Sequence, residues 1–116
     1  LNYKLFNKAI SNFKYAHAPF GPIVNNQDAL LNLLIKQDYI KLASSVDDSA
    51  MLFAPLQDTD LSCFNENEIK VLDKIIDEFK GMSAKDLSDW SHKFKGWTET
   101  KDGEIIDFKY AKDLKI

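Results

Sequence analysis

Residues 64–97, FNENEIKVLDKIIDEFKGMSAKDLSDWSHKFKGW, decide the helical part of the fold. They predict two helices, each beginning at a side chain that can accept hydrogen bonds from free backbone N–H groups. Asn65 is followed three positions later by Glu68, and Ser83 by Asp86, which is the spacing of a capping box or a close variant of it. Each N-cap contributes about 1 kcal/mol of helix stability. The local signals therefore agree on where both helices start.

Each predicted helix also carries an apolar stripe that can face a core. Gly81, between the helices, is expected to close the first helix at its C′ position. The short connection predicts a helical hairpin or corner. The stripe consists of Ile69, Leu72, Ile75, Ile76 and Phe79 in the first helix and of Leu87, Trp90 and Phe94 in the second.

The N-terminal third predicts a helix end, a short extended segment and a second helix. Leu1 to Phe6 has helical apolar spacing. Phe13 to His17 alternates with period two, as a strand does. The run Pro19-Phe20-Gly21-Pro22 must interrupt that strand, and Gly21 is expected to be extended before its proline. Pro22 can start a helix that reaches about Lys36, with Asn25 or Asn26 as an alternative cap.

The remaining segments predict a small antiparallel element and a final short helix. Residues 39–46 and 50–56 have strand patterns, and Asp47-Asp48-Ser49 between them suits a hairpin loop. Lys101-Asp-Gly-Glu is a turn signal. Asp107 can cap a helix that runs to Leu114. The fold class expected is α+β and mainly helical, with a small hairpin or sheet, in one domain over residues 1–116.

Composition excludes several classes of function. All 15 basic residues are lysines and the net charge is −3, whereas nucleic-acid readers need a basic face and often use arginine. We therefore expect no direct nucleic-acid binding. No apolar run reaches the length of a membrane span, and the single Cys63 suits a reducing compartment. The expected location is the cytoplasm.

No residue set predicts catalysis, a metal site or a cofactor. Ser88, Asp89 and His92 share one helix turn, but a triad also needs an oxyanion site, so a polar helix surface is the better interpretation. His17, His92 and Cys63 lack metal-ligand spacing. We therefore expect a protein that is not an enzyme and holds neither metal nor cofactor.

Two tryptophans and one phenylalanine are the candidate anchors. Trp90 fits the buried stripe of its helix and is expected in the core. Trp97 follows Gly96 outside the predicted helix, where a core lid and an interface anchor are both open. Phe20, between two prolines, has the same two interpretations.

Taken together, these segments resemble the Panacea domain, the SocA-like antitoxin-associated family. The order and spacing of the motifs carry the resemblance, which spans nearly the whole chain. The versions it is most similar to are fused behind a helix-turn-helix regulator. The matching segments are Tyr15–Val24 (YAHAPFGPIV), Asn65–Phe79, Leu87-Ser88, Ser91-His92, Trp97 and Asp102–Ile106 (DGEII).

The resemblance implies a role rather than a chemistry. It implies an antitoxin module that binds and neutralises a cognate toxin, with a proteolytic adaptor or a sensing domain of a transcription regulator as alternatives, and it leaves a homodimer open. It also implies that the first helix normally begins upstream of Leu1, after any helix-turn-helix domain. The candidate partner-binding residues are Pro19, Phe20, Gly21, Pro22, His92 and Trp97.

Overall fold

The computed structural model describes residues 1–43 and 52–116. Its contacts divide the chain into two compact units. The main unit comprises residues 1–25 and 62–116, and the inserted unit comprises residues 26–61. The elements are α1 (Asn2–Phe6), β1 (Tyr15–Ala18), β2 (Gly21–Val24), α2 (Gln27–Lys36), β3 (Ile40–Ala43), β4 (Leu52–Pro55), α3 (Glu66–Phe79), α4 (Ala84–Ser91), α5 (Lys95–Thr98), β5 (Ile105–Ile106) and a 3-10 helix (Phe108–Asp113). The α+β, mainly helical class is confirmed.

The sheet of the main unit has the order β2-β1-β5 and is antiparallel throughout. Ala18 pairs with Gly21 across a two-residue turn, and His17 pairs with Pro22. The prediction of a helix from Pro22 is wrong, because Gly21–Val24 forms strand β2 and α2 begins only at Gln27. Gly21 has φ +127°, a conformation that glycine tolerates and other residues avoid. This lets the chain reverse and pair with β1.

Both capping boxes are confirmed in the main unit. The Asn65 side chain accepts from the Glu68 N–H at 2.9 Å, and the Glu68 carboxylate accepts from the Asn65 N–H at 3.0 Å. Ser83 and Asp86 make the same reciprocal pair at 3.1 Å each. Gly81 follows the C-cap of α3 but lacks the left-handed conformation expected of a C′ glycine. The α3–α4 connection therefore does not need glycine for its backbone angles.

The prediction of the two apolar stripes is only partly confirmed. Ile76 is 62% exposed and Leu87 is 37% exposed, so neither belongs to the core. Val71, which was not assigned to the stripe, is buried instead. Trp90, which was expected in the core, is half-buried and packs edge-on against Phe79 with 4.8 Å between ring centroids.

The C-terminal segment closes the main unit. Gly96 is buried, and a Cβ built on it would lie 2.6 Å from Phe94 Cε1 and 2.8 Å from Ile106 Cγ2, so close packing requires glycine there. Gly103 has φ +82° in the predicted turn. Asp107 caps the 3-10 helix by accepting from the Lys109 N–H at 2.7 Å, which confirms the prediction.

The inserted unit consists of α2 and the antiparallel pair β3–β4. Ile40 pairs with Pro55 and Ala43 with Leu52, which confirms the two strands among the described residues, whereas residues 44–46, 50 and 51 of the predicted strands lie outside them. The predicted loop Asp47–Ser49 lies outside the described residues. Asn26 precedes α2 in a left-handed conformation and makes no side-chain cap.

Buried apolar residues of the described chain lie in the main unit. They come from β1, α3, β5 and the 3-10 helix, and are Ala16, Val71, Ile106 and Ala111. In the part of the chain that the structure describes, every helix is too short or too polar to cross a membrane.

Candidate functional site

Three rings from three separate elements stack beside the β1–β2 turn. The Trp97 indole, on α5, contacts the imidazole of His17 on β1 with 4.4 Å between centroids and 16° between planes. The same indole contacts the imidazole of His92, the C-cap of α4, at 4.1 Å and 25°. We call these residues the ring stack. It joins β1, α4 and α5 at one point.

Two members of the ring stack bind the backbone of the turn. Trp97 Nε1 donates to the carbonyl oxygen of Ala18 at 2.9 Å. His92 Nε2 lies 3.0 Å from the carbonyl oxygen of Pro19. A carbonyl can only accept, so Nε2 of His92 must carry the proton. Two successive carbonyls before Phe20 are therefore fixed by side chains that lie more than 70 positions away.

His17, the third member, is fixed from the other side. Its Nδ1 lies 3.0 Å from the Thr100 hydroxyl, which itself lies 2.7 Å from the carbonyl of Gly96. The hydroxyl donates its proton to that carbonyl and so accepts from Nδ1, which sets the tautomer of His17. The His17 backbone also accepts from Gly103 N–H at 2.9 Å and donates to Glu104 at 2.8 Å.

Gly21, on the β2 side of the turn, lies in close contact with Ser91 of α4. A Cβ on Gly21 would overlap the Ser91 hydroxyl and lie 3.3 Å from Ser91 Cβ. The Ser91 hydroxyl donates to the carbonyl of Ser88 at 2.8 Å and is thereby held in place. Any other residue at position 21 would push the turn away from the helix.

Phe20 occupies the tip of the turn and is 85% exposed. Of the six candidate residues, the structure places Pro19, Gly21, His92 and Trp97 in one hydrogen-bonded and packed arrangement around it. Pro22 is half-buried on β2, one of the two edge strands of the sheet. His17 and Thr100 were missed as candidates. The signal that could have indicated His17 was its place on the same face of the period-two alternation as the aromatic residues Phe13 and Tyr15.

A family model described as an antitoxin SocA-like, Panacea domain matches residues 1–98. The chain belongs to this family. The matched range contains the β1–β2 turn and the ring stack, whereas the DGEII segment at Asp102–Ile106 lies beyond it. No curated protein and no solved structure matches the chain.

The polar residues on α4 of this Panacea domain make contacts that differ from those of a catalytic triad. The Asp89 carboxylate pairs with Lys85 at 2.6 Å, and this hydrogen bond raises the pKa of Lys85. His92 faces Pro19 rather than Ser88. Ser88, Asp89 and His92 thus do not form a nucleophile–base–acid relay, and Asp86, whose pKa is lowered by hydrogen bonds from Ser83, serves the helix cap.

Residues 1–43 and 52–116 contain no group of three or more His, Cys, Asp or Glu side chains that could hold a metal ion. Cys63 is exposed.

The main unit of the Panacea domain also contains a largely apolar cavity of about 380 Å³. Its walls include Val71, Trp90 and Ile106. Asn2, a buried polar residue, is another lining residue, and its Oδ1 has no hydrogen-bond partner within the described ranges. The cavity is thus largely apolar, and Asn2 Oδ1 is a buried side-chain acceptor without a partner among its described lining residues.

Proposed function

We propose that this chain is the antitoxin module of a bacterial or phage toxin–antitoxin system and neutralises its cognate toxin by binding it directly. Membership of the SocA-like antitoxin family supports an antitoxin role. The observation that carries the binding mode is the exposed Phe20 on a turn whose carbonyls are held by His92 and Trp97.

The physical argument is preorganisation. An exposed phenylalanine contributes little burial energy to its own fold, and it gains about 1.5–3 kcal/mol when a partner buries it. Ordering a loop on binding consumes part of such a gain, whereas a turn that is already fixed avoids that cost. Aromatic anchors that enter a partner's pocket commonly dominate interface energies. Phe20 is exposed and lies on a turn that is already fixed, which supports its role as such an anchor.

The other candidate residues have supporting roles in this proposal. Gly21 permits the reversal, and Pro19 supplies the carbonyl that His92 binds. His92 and Trp97 fix the turn through hydrogen bonds to its carbonyls. The fixed φ angle of Pro22 restricts the backbone of β2. We propose that binding takes place in the cytoplasm, to which a lone Cys63 is suited, and that this chain makes no direct nucleic-acid contact.

Co-expression with the product of the neighbouring gene tests the proposal. Wild-type chain is expected to restore growth in cells that express this product and to bind it in a pull-down. Phe20→Ala should abolish rescue and weaken binding at least tenfold. The matched control is Phe13→Ala, which truncates another exposed phenylalanine, 43% exposed, of the main unit. Thermal unfolding of both variants should match the wild type.

Three results separate the alternatives. Absence of both complex and rescue would contradict the antitoxin role. Rescue with an unchanged toxin level on an immunoblot supports neutralisation by binding, whereas rescue with a falling level supports the proteolytic adaptor. Equal binding by Phe20→Ala and wild type would remove Phe20 from the interface but leave the antitoxin role intact.

The cavity supports a second function, that of a sensing domain for a transcription regulator. A pocket of this size and apolar lining suits a small hydrophobic molecule, and the free Oδ1 of Asn2 suits one donor group on it. Indole and 1-hexanol are simple probes of that chemistry. A concentration-dependent rise in melting temperature that is lost in Ile75→Trp, which narrows the cavity, would support sensing. Unchanged melting with both probes would reject it.

A further inference from the structure

The charge of the chain is divided unequally between its two units. The inserted unit contains two lysines and six aspartates in 36 residues, a net charge of −4. The main unit contains thirteen lysines and twelve acidic residues, a net charge of +1. The overall charge of −3 therefore originates in less than a third of the sequence.

The inserted unit also exposes large apolar side chains. None of its described residues is buried. Leu42 is 55% exposed and Leu52, across the β3–β4 pair, is 52% exposed. The other exposed large apolar residues in the described part of this unit are Leu33, Ile35, Tyr39, Phe53, Leu56 and Leu61. Asp28, Asp38 and Asp58 are exposed as well.

This combination is typical of an interface rather than of a free surface. A segment of fewer than about 40 residues rarely builds a core that is sufficient by itself, and a two-stranded pair is marginal in water. Exposed apolar residues in such numbers mark a contact surface. The exposed aspartates of the same unit make it favour a positively charged partner.

The net charge of the inserted unit distinguishes between the molecules that are candidates to bind it. A second copy would bring a net −4 against a net −4, and nucleic acid or an anionic membrane would also be repelled. A protein with a basic surface around an apolar patch would be attracted. We propose that the inserted unit is a docking surface for a basic protein and that this protein is the toxin. The inference rests on the proposed function and adds the chemical class of the partner.

Electrostatic attraction of this kind has a kinetic signature. Long-range complementarity raises the association rate constant, and added salt screens it. The apolar residues act at short range and mainly determine how slowly the complex dissociates. Charge variants and apolar variants of the inserted unit should therefore change different rate constants.

The test measures association and dissociation of the purified full chain and the purified product of the neighbouring gene at 50 and 300 mM salt. Asp28→Asn with Asp58→Asn should slow association at least fivefold at 50 mM salt and flatten the salt dependence. Asp73→Asn with Glu78→Gln, the same charge change on exposed residues of α3, should stay within twofold of wild type. Leu42→Ser should speed dissociation at least tenfold, whereas Leu5→Ser, which alters a 53% exposed leucine of the main unit, should not.

Each result decides one question, with circular dichroism used to verify that every variant is folded. Wild-type kinetics for Asp28→Asn/Asp58→Asn and for Leu42→Ser would overturn the docking surface and leave the antitoxin role standing. No binding by the wild type would overturn both. A wild-type dimer in sedimentation velocity that Leu42→Ser dissociates would assign this surface to a second copy and overturn the inference.

Discussion

Trp97 Nε1 donates a hydrogen bond of 2.9 Å to the carbonyl oxygen of Ala18, 79 positions earlier in the chain. The bond joins α5 to the last residue of β1, directly before the turn that presents Phe20. The same indole stacks on His17 and His92. Trp97 is thus half-buried and packed within the fold, as the lid interpretation expects, while a contact of Trp97 with a partner stays a prediction.

Removing only the indole N–H should have a measurable cost. Trp97→Phe keeps an aromatic ring for stacking but leaves the Ala18 carbonyl without its donor, so the free energy of unfolding should fall by about 1 kcal/mol. Trp97→Ala also removes the stack and should cost more, about 2–3 kcal/mol. Urea denaturation measures both. Equal stability of Trp97→Phe and wild type would contradict the role of this bond.

Gly21 and Gly81 should respond oppositely to the same substitution. Gly21→Ala places a Cβ against Ser91 at φ +127°, and the combined strain and overlap should destabilise the chain by about 2 kcal/mol or more. Gly81→Ala meets no atom within 4 Å and should be neutral or stabilising by up to about 1 kcal/mol. Adding Ser91→Ala to Gly21→Ala should recover part of the loss. Chemical denaturation that ranks the two alanine variants equally would contradict this account.

The two histidines should show opposite tautomers when neutral. The partners described above place the proton of His17 on Nδ1 and that of His92 on Nε2. Long-range ¹H–¹⁵N spectra at pH 8 distinguish the two forms directly. Thr100→Val removes the acceptor of His17 and should release its preference while His92 is unchanged. The same tautomer in both residues would contradict the ring-stack geometry.

The folding stability of the chain should depend on pH through the carboxyl group of Asp86. Hydrogen bonds from the Ser83 hydroxyl and then the Ser83 N–H lower its pKa below the ordinary 3.8. A lowered folded-state pKa adds stability that is present above that ordinary value and is lost as the pH falls through the folded value. The stability difference between wild type and Asp86→Asn should therefore narrow between pH 6 and pH 3. In a Ser83→Ala background this narrowing should be smaller; an unchanged narrowing would assign it to other groups.

Local signals account for the features that were predicted correctly. Asn65, Ser83 and Asp107 cap helices through atoms two or three residues away. Such interactions depend on a few neighbouring residues, which the sequence displays directly. The family resemblance likewise rests on ordered short segments.

The errors come from interactions that are not local. Pro22 suits the first turn of a helix, but pairing with His17 across the turn places it in a strand. Ile76 has helical apolar spacing, yet α3 buries Val71 and leaves Ile76 exposed, because the neighbouring elements determine which face is covered. His17 belongs to the site only through Trp97 and Thr100, which lie about 80 positions away.

The pairing of His17 with Pro22 restricts how a partner can use this side of the sheet. Since the backbone groups of His17 bond toward the β5 side, His17 and Pro22 form a pair that exchanges no hydrogen bonds between β1 and β2. The backbone of Pro22 then faces outward, where proline has no N–H to offer. An incoming strand would find no donor at that position. Side chains therefore contribute more to recognition at this position, and a change at Phe20 alters what the turn offers to a partner while the backbone stays the same.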